Sequence, residues 1–243
     1  MNFLITSGGT REYIDPVRFI SNASTGKIGF ALASAALRAG HKVTLITTVK
    51  KSNIKNQISK LRIVTVQTAA QMFEAVKKHF PHCDCLVMAA AVADYTPIRP
   101  AKTKIKKQDK VLTLKLKPTV DILKWAGRHK KLKIKDQTRP EPGRGKSKMR
   151  KGKRLVVGFA LEDRNLRANA ERKMREKNLD MIIVNTPESI GADKTSAQIK
   201  MPGQKWLKIA KAGKTAVAEK VIILMEAIQE RSDSCLAGKA QMR

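Results

Sequence analysis

Aromatic residues are scarce: two Trp, two Tyr and six Phe make up 4% of 243 residues. A core has to be built from aliphatic side chains, and the stacking platforms on which nucleic-acid binders lay bases are few. Cysteine is sparse too. Cys83, Cys85 and Cys235 are odd in number and not spaced as a disulfide framework, so a reducing compartment, the cytoplasm, is expected. No apolar run approaches the roughly 20 residues of a membrane span, so no membrane partner is expected. The opening Met-Asn-Phe-Leu-Ile-Thr lacks the basic region and cleavage site of a signal peptide and reads as a strand. Acids are in deficit: 20 Asp and Glu face 50 Lys and Arg, for a net charge of +30. Residues 128–154 hold thirteen of the bases against Asp136 and Glu141, a local +11 that leaves +19 elsewhere. Such a surface attracts triphosphates and phosphorylated small molecules as well as RNA, although part of the excess is explained by a solvated lysine-rich exterior.

What is present is ample apolar content, 42%, enough for one sizeable α/β domain. Strands are expected at residues 2–7, 42–47, 62–68, 85–91, 155–160 and 180–184. Helices are expected at 26–38, 69–79, 119–126, 165–177 and 215–229, with Gly40 capping the first. This alternation implies a Rossmann-like parallel sheet flanked by helices. Residues 96–117, with Val111-Leu-Thr-Leu-Lys-Leu, read as an extended arm or small antiparallel piece, and residues 199–210 as a hairpin around Pro202-Gly203. The Pro-, Gly- and Lys-rich stretch 128–154 reads as a flexible loop inside a single domain of residues 1–230, followed by a tail at 231–243.

Ligands of such sheets sit beyond the carboxyl ends of the strands. The first of those ends runs into Gly8-Gly9-Thr10 and, after a long loop, Ser24-Thr25-Gly26-Lys27 at a helix start. The glycines permit close backbone approach, and the free N–H groups and hydroxyls suit a phosphate; the alternative is an N-cap and a tight turn. No Gly-x-x-x-x-Gly-Lys-Ser/Thr is present, so this is not a P-loop. No Gly-x-Gly-x-x-Gly follows the first strand, and the second ends Thr47-Thr48-Val49-Lys50 without an acid for ribose hydroxyls, which argues against an NAD(P)-dependent reductase.

Small residues in Ala89-Ala90-Ala91-Val92-Ala93-Asp94 let a base or ribose lie against the backbone, with Asp94 available to it or to Mg²⁺. Lys104-Ile-Lys-Lys107 on the arm is a candidate clamp for phosphoryl transfer or, alternatively, a solvated charge run. His79, His82, Cys83 and Cys85 straddle a helix end and a strand start without a second ligand pair, so no protein-held metal is expected.

Taken together, the segments Gly8-Gly9-Thr10-Arg11-Glu12, Ile14-Asp-Pro-Val-Arg-Phe-Ile-Ser-Asn22, Ser24–Lys27, Met88–Tyr95, Lys104–Lys107, Val157-Gly-Phe-Ala-Leu-Glu162 and Lys177-Asn-Leu-Asp180 resemble, in order, those of the phosphopantothenate–cysteine ligases. The resemblance covers residues 2–185 and, more loosely, extends to 229. It implies a homodimer that joins L-cysteine to 4′-phosphopantothenate through an acyl-cytidylate, with CTP as co-substrate and Mg²⁺ as cofactor. A stand-alone form, without the flavin-dependent decarboxylase fused to many bacterial ligases, is the expectation.

By resemblance, Asn22 assists the second step and Lys104 neutralises charge at the reacting phosphate. Ala89, Ala90, Ala91 and Asp94 contact the nucleotide, and Val120-Asp121-Ile122-Leu123 matches a family turn. Phe159 lies by the base, and Lys173 and Lys177 hold phosphates; their i, i+4 spacing places both on one helix face. A basic nucleic-acid-binding protein is the alternative of a different class.

Overall fold

In a computed structural model, residues 1–49, 59–107, 109–131, 154–192 and 194–241 are described, without the side chains of 195, 211 and 232–241. The apolar segments pair as one eight-stranded sheet. Its central strands are β1 (Asn2–Ser7), β4 (Lys42–Thr47), β5 (Leu61–Thr65), β6 (Cys85–Met88), β9 (Leu155–Leu161) and β10 (Met181–Asn185). They run parallel in the order β10-β9-β6-β1-β4-β5. Burial on both faces explains the consecutive apolar residues Phe3–Ile5 of β1, Cys85–Met88 of β6 and Met181–Val184 of β10.

Helix α1 (Lys27–Arg38) and α5 (Lys214–Gln241) cover one face, where Leu32 and Val221 share one buried cluster with Ile5 and Val157 of the sheet. Helices α2 (Ala69–His79), α3 (Ile122–His129) and α4 (Leu166–Glu176) cover the other. Gly40 closes α1 at φ 84°: its N–H reaches the Leu37 carbonyl while that of His41 reaches Ala36, a paired C-terminal cap. No helix among the described residues is long and apolar enough to cross a membrane.

Several details differ from the sequence reading. The sheet is not wholly parallel, because β11 (Lys194–Lys200) and β12 (Leu207–Gly213) extend the expected hairpin in both directions and add to β10 antiparallel. The long loop before α1 contains a hairpin, β2 (Arg11–Tyr13) with β3 (Phe19–Ser21). The arm forms β7 (Tyr95–Pro97) with β8 (Leu116–Pro118).

Helix α3 starts later than expected because Asp121, not Thr119, caps it: its carboxylate accepts the Lys124 N–H at 2.9 Å, while the Thr119 hydroxyl donates to the Ala93 carbonyl at 2.7 Å. That helix then runs on through Arg128 and His129, and α5 continues past 229 to Gln241. Of the basic stretch 128–154, residues 132–153 lie outside the described residues. Its ends do not: Lys130 and Arg154 are 1% and 0% exposed.

Candidate functional site

The parallel strands end on one edge, where a cavity of about 560 Å³ opens. Three consecutive departures of the chain shape it. After β6 the chain leaves the sheet at Ala89, and residues 89–93 pass beneath the first loop. There Thr10 donates its N–H to the Ala91 carbonyl, and its buried hydroxyl accepts the Ala93 N–H at 2.9 Å. Ala91 donates in turn to the Gly8 carbonyl, and Ala90 to the Thr6 hydroxyl.

Gly8 and Gly9 are therefore braces. A Cβ on Gly8, which sits at φ 88°, would lie 2.2 Å from the Thr48 hydroxyl, and one on Gly9 would lie 2.6 Å from the Asn22 carbonyl. Neither glycine nor Thr10 lines the cavity. The resemblance's Arg11-Glu12 is structural as well, since the buried Glu12 carboxylate accepts the Ala69 N–H at 2.8 Å and so caps α2.

The cavity's own lining brings together most of the expected residues. Asn22, Ser24, Thr25, Gly26 and Lys27 enter from the α1 side, and Ala89, Ala90, Ala91 and Asp94 from the β6 end. Val120, Asp121, Ile122 and Leu123 arrive at the start of α3, with Phe159 on β9 and Lys173 and Lys177 on α4. Asn22 is oriented by donation from Nδ2 to the Val92 carbonyl at 3.1 Å. Gly26 adopts φ 73° at the start of α1, and no side chain caps that end of the helix, which lines the cavity.

Cationic groups reach the cavity from both layers. On one face stand Lys27, whose ammonium touches the Gly191 carbonyl at 3.2 Å, and Lys214 at the start of α5. On the other, Lys173 donates to the Phe159 carbonyl at 2.9 Å, and Lys177 sits 2.8 Å from the Asp121 carboxylate. Burial, then the neighbouring Lys177 charge, pushes the Lys173 ammonium below its ordinary lysine value. Burial raises the Asp121 carboxyl, but Lys177 and the Lys124 N–H outweigh it and hold it lower than usual. Two cationic groups on opposite sides of one cavity suit two anionic ligands, or one long one.

Lys104 is not brought to this cavity. It is exposed, on an arm segment pinned to the β2–β3 loop: the buried Asp15 carboxylate accepts the Ile105 N–H at 3.2 Å and binds the Arg18 guanidinium, which also donates to the Ile105 carbonyl.

Sequence reasoning missed Lys214, Asn185, Ser189, Ile190 and Gly191. Those around the end of β10 were reachable from the rule that ligands sit beyond carboxyl ends. Lys214 was not, because the hairpin that carries it to the cavity leaves no mark in the lysine itself. Cys83 and Cys85 are buried and free, and burial pushes the Cys83 thiol up to about 12, which leaves it unreactive. Among the described residues, no three His, Cys, Asp or Glu side chains gather as metal ligands.

The chain is 40% identical over 189 residues to the "Coenzyme A biosynthesis bifunctional protein CoaBC" of Bacillus subtilis (strain 168), an alignment that takes in 78% of this chain and 41% of that protein. It thus spans less than half the length of that relative. Among solved structures, the C-terminal domain of a CoaBC superposes with a TM-score of 0.70 at 31% identity, over 95% of this chain and 96% of that one. The DNA/pantothenate metabolism flavoprotein from Streptococcus pneumoniae superposes at 0.74 and 25% identity, over 94% and 99%. A family model matches residues 1–135 and 144–229, which include every lining segment of the cavity, and the chain accordingly belongs to the family described as the DNA/pantothenate metabolism flavoprotein C-terminal domain.

Proposed function

We propose that the chain is a phosphopantothenate–cysteine ligase acting in coenzyme A biosynthesis, with CTP as the nucleotide. The observation that carries this reading is the single cavity in which Lys27 and Lys214 face Lys173 and Lys177 across a floor of small residues, Ala89–Ala91, with Asn22 at its wall. The name of the Bacillus relative and the order of the resembling motifs support the substrate class.

In the first step a carboxylate oxygen of 4′-phosphopantothenate attacks the α-phosphorus of CTP. The bond to the β-phosphate oxygen breaks, and pyrophosphate leaves with its electron pair. In the second, the amine of L-cysteine attacks the acyl carbon, CMP departs with the electrons of the acyl–oxygen bond, and the amine's proton is released. The lysines neutralise the triphosphate and the substrate phosphate, and their preorganised charge is worth most where water is excluded. The Asn22 amide, already turned inward by Val92, orients the acyl group. Mg²⁺ fits as the counter-ion of the nucleotide rather than as a protein-caged metal, with Asp94 as a carboxylate at the cavity.

For Lys104 to serve the reacting phosphate, the arm has to close or act from a second subunit. The arm is suited to pairing. Val111 is 95% exposed, and Leu112, Leu114, Leu116 and Tyr95 are exposed around it, an apolar face of the kind that marks an interface. A homodimer in the cytoplasm is the corresponding state.

Incubation with CTP, 4′-phosphopantothenate and Mg²⁺ should release pyrophosphate, and cysteine should then yield CMP and the coupled product. ATP in parallel tests the base. NADPH oxidation without pyrophosphate overturns the reading in favour of a reductase, and tight RNA binding without turnover in favour of the nucleic-acid alternative.

A further inference from the structure

Residues 177–180, which close α4 and lead into β10, hold α3 along its whole length. At its start, the Lys177 ammonium lies 2.8 Å from the Asp121 carboxylate that caps the helix. In its second half the two backbones touch: a Cβ on Gly127 would stand 1.8 Å from the Lys177 carbonyl oxygen, a position only glycine can occupy. Asn178, at φ 51°, donates from Nδ2 to the Gly127 carbonyl at 2.9 Å. Just past the helix end, the Lys130 ammonium donates to the Asn178 carbonyl at 2.5 Å and to both Asp180 carboxylate oxygens at 3.1 Å. Asp180 also accepts the Val156 N–H at 2.9 Å, so the grip is fastened to β9 in the sheet.

We infer that Lys130 and Asp180 are a positioning pair for the cavity: by fixing α3 along its axis, they keep Asp121 and the residues around it in place at the far end of the helix. Both side chains are almost fully buried, at 2% and 8% exposure. A buried ion pair of this kind contributes little net stability compared with an apolar replacement of similar size, so its role is sought in the geometry it fixes. The geometry it specifies is the axial position of α3, whose first turn lines the cavity. A shift of about 1 Å in a positioning element is enough to cost up to a hundredfold in turnover. Neither residue lines the cavity, so both act indirectly, through α3 and the strand β9 to which Asp180 fastens it.

The inference rests on the nucleotide reading above, and its test separates the two. Trp125 lies on α3, stacked on His129 at 4.6 Å and edge-on to Phe73 and Phe80, and the only other Trp is Trp206. In a Trp206→Phe background, Trp125 emission reports where α3 sits. The double variant Lys130→Met/Asp180→Asn removes both charges, so neither is left orphaned, and keeps an acceptor for Val156. It is expected to melt within a few degrees of its parent, to shift Trp125 emission, and to bind CTP about tenfold more weakly. Lys130→Arg, which keeps a cation, should recover most of that affinity. A double variant with unchanged emission and unchanged CTP affinity overturns the inference, as does one that fails to fold, since the pair would then be a stability element alone. If the parent itself binds no CTP, the nucleotide reading falls, while the Trp125 shift still decides whether the pair positions α3.

Discussion

The Thr10 hydroxyl accepts the backbone N–H of Ala93 at 2.9 Å, joining the loop after the first strand to the wall of the cavity. Thr10 is fully buried. A Thr10→Val variant keeps the shape and removes the acceptor, leaving a buried N–H unpaired, which costs about 1–3 kcal/mol. The expected outcome is a lower melting temperature together with a raised KM for CTP, because residues 89–93 lose their tether. Calorimetry and steady-state kinetics check both. A variant with normal stability and KM removes the brace reading of Gly8-Gly9-Thr10 and returns that loop to the role of ligand contact.

Asn22→Ala should separate the two half-reactions. An uncharged amide at the cavity wall orients an acyl group but offers little to a triphosphate, so activation survives while attack by cysteine slows. Acyl-cytidylate then accumulates. Lys104→Ala should do the reverse, at a cost of about a hundredfold in the first step, typical of one lost transition-state contact. Rapid-quench mass spectrometry distinguishes the two. Accumulation in Lys104→Ala but not in Asn22→Ala would reverse the assignment.

Asp15 makes the arm's docking sensitive to acid. Burial raises its carboxyl, but the Arg18 guanidinium and the N–H groups of Val17, Arg18 and Ile105 outweigh that and hold it well below the usual carboxylate range. A depressed folded value means that the stabilisation is present above the unfolded value of about 3.9 and is lost as pH falls through the folded one. Unfolding free energy measured from pH 6 down to pH 2 should therefore fall more steeply below about pH 4 in the parent than in Asp15→Asn. Parallel curves for the two would show that Asp15 does not carry this dependence.

Much of the fold was legible because burial on both faces leaves continuous apolar strands. The helix at 69–79 was read to the residue from its amphipathic spacing, and the structure adds a reciprocal cap of Thr68 and Gln71 at its start. The β2–β3 hairpin was not legible: three-residue strands have no period to detect, and what holds them is Asp15 reaching across to the arm. The site divides in the same way. Lys173 and Lys177 were named by the resemblance, and their helical spacing, which puts both on one face, agreed with it. Gly8, Gly9 and Thr10 carry the signs of a ligand loop because the same close backbone approach serves a brace, and only the position of Ala89–Ala93 tells the two apart. That the chain belongs to its family followed from the order of motifs; the separate roles of brace, lining and arm within those motifs did not.

The basic stretch joins the fold at two points that are already neighbours. The Arg154 N–H donates to the Lys130 carbonyl at 3.2 Å, and Arg154 is anchored below by the Pro81 carbonyl at 2.8 Å and the Phe80 ring. A replacement for residues 132–153 therefore has almost no distance to span, and a four-residue Gly/Ser connector suffices. In the free-chain limit, a closure of four residues costs about 1.5 kcal/mol less than one of 22. The expected result is an equal or slightly higher melting temperature and turnover within a few-fold of the parent, since Lys130, Arg154 and the grip on α3 are all kept. The net charge falls, so association with polyanions such as heparin should weaken sharply at low salt. A connector variant that folds and melts normally yet has lost turnover would show instead that these residues form part of the site.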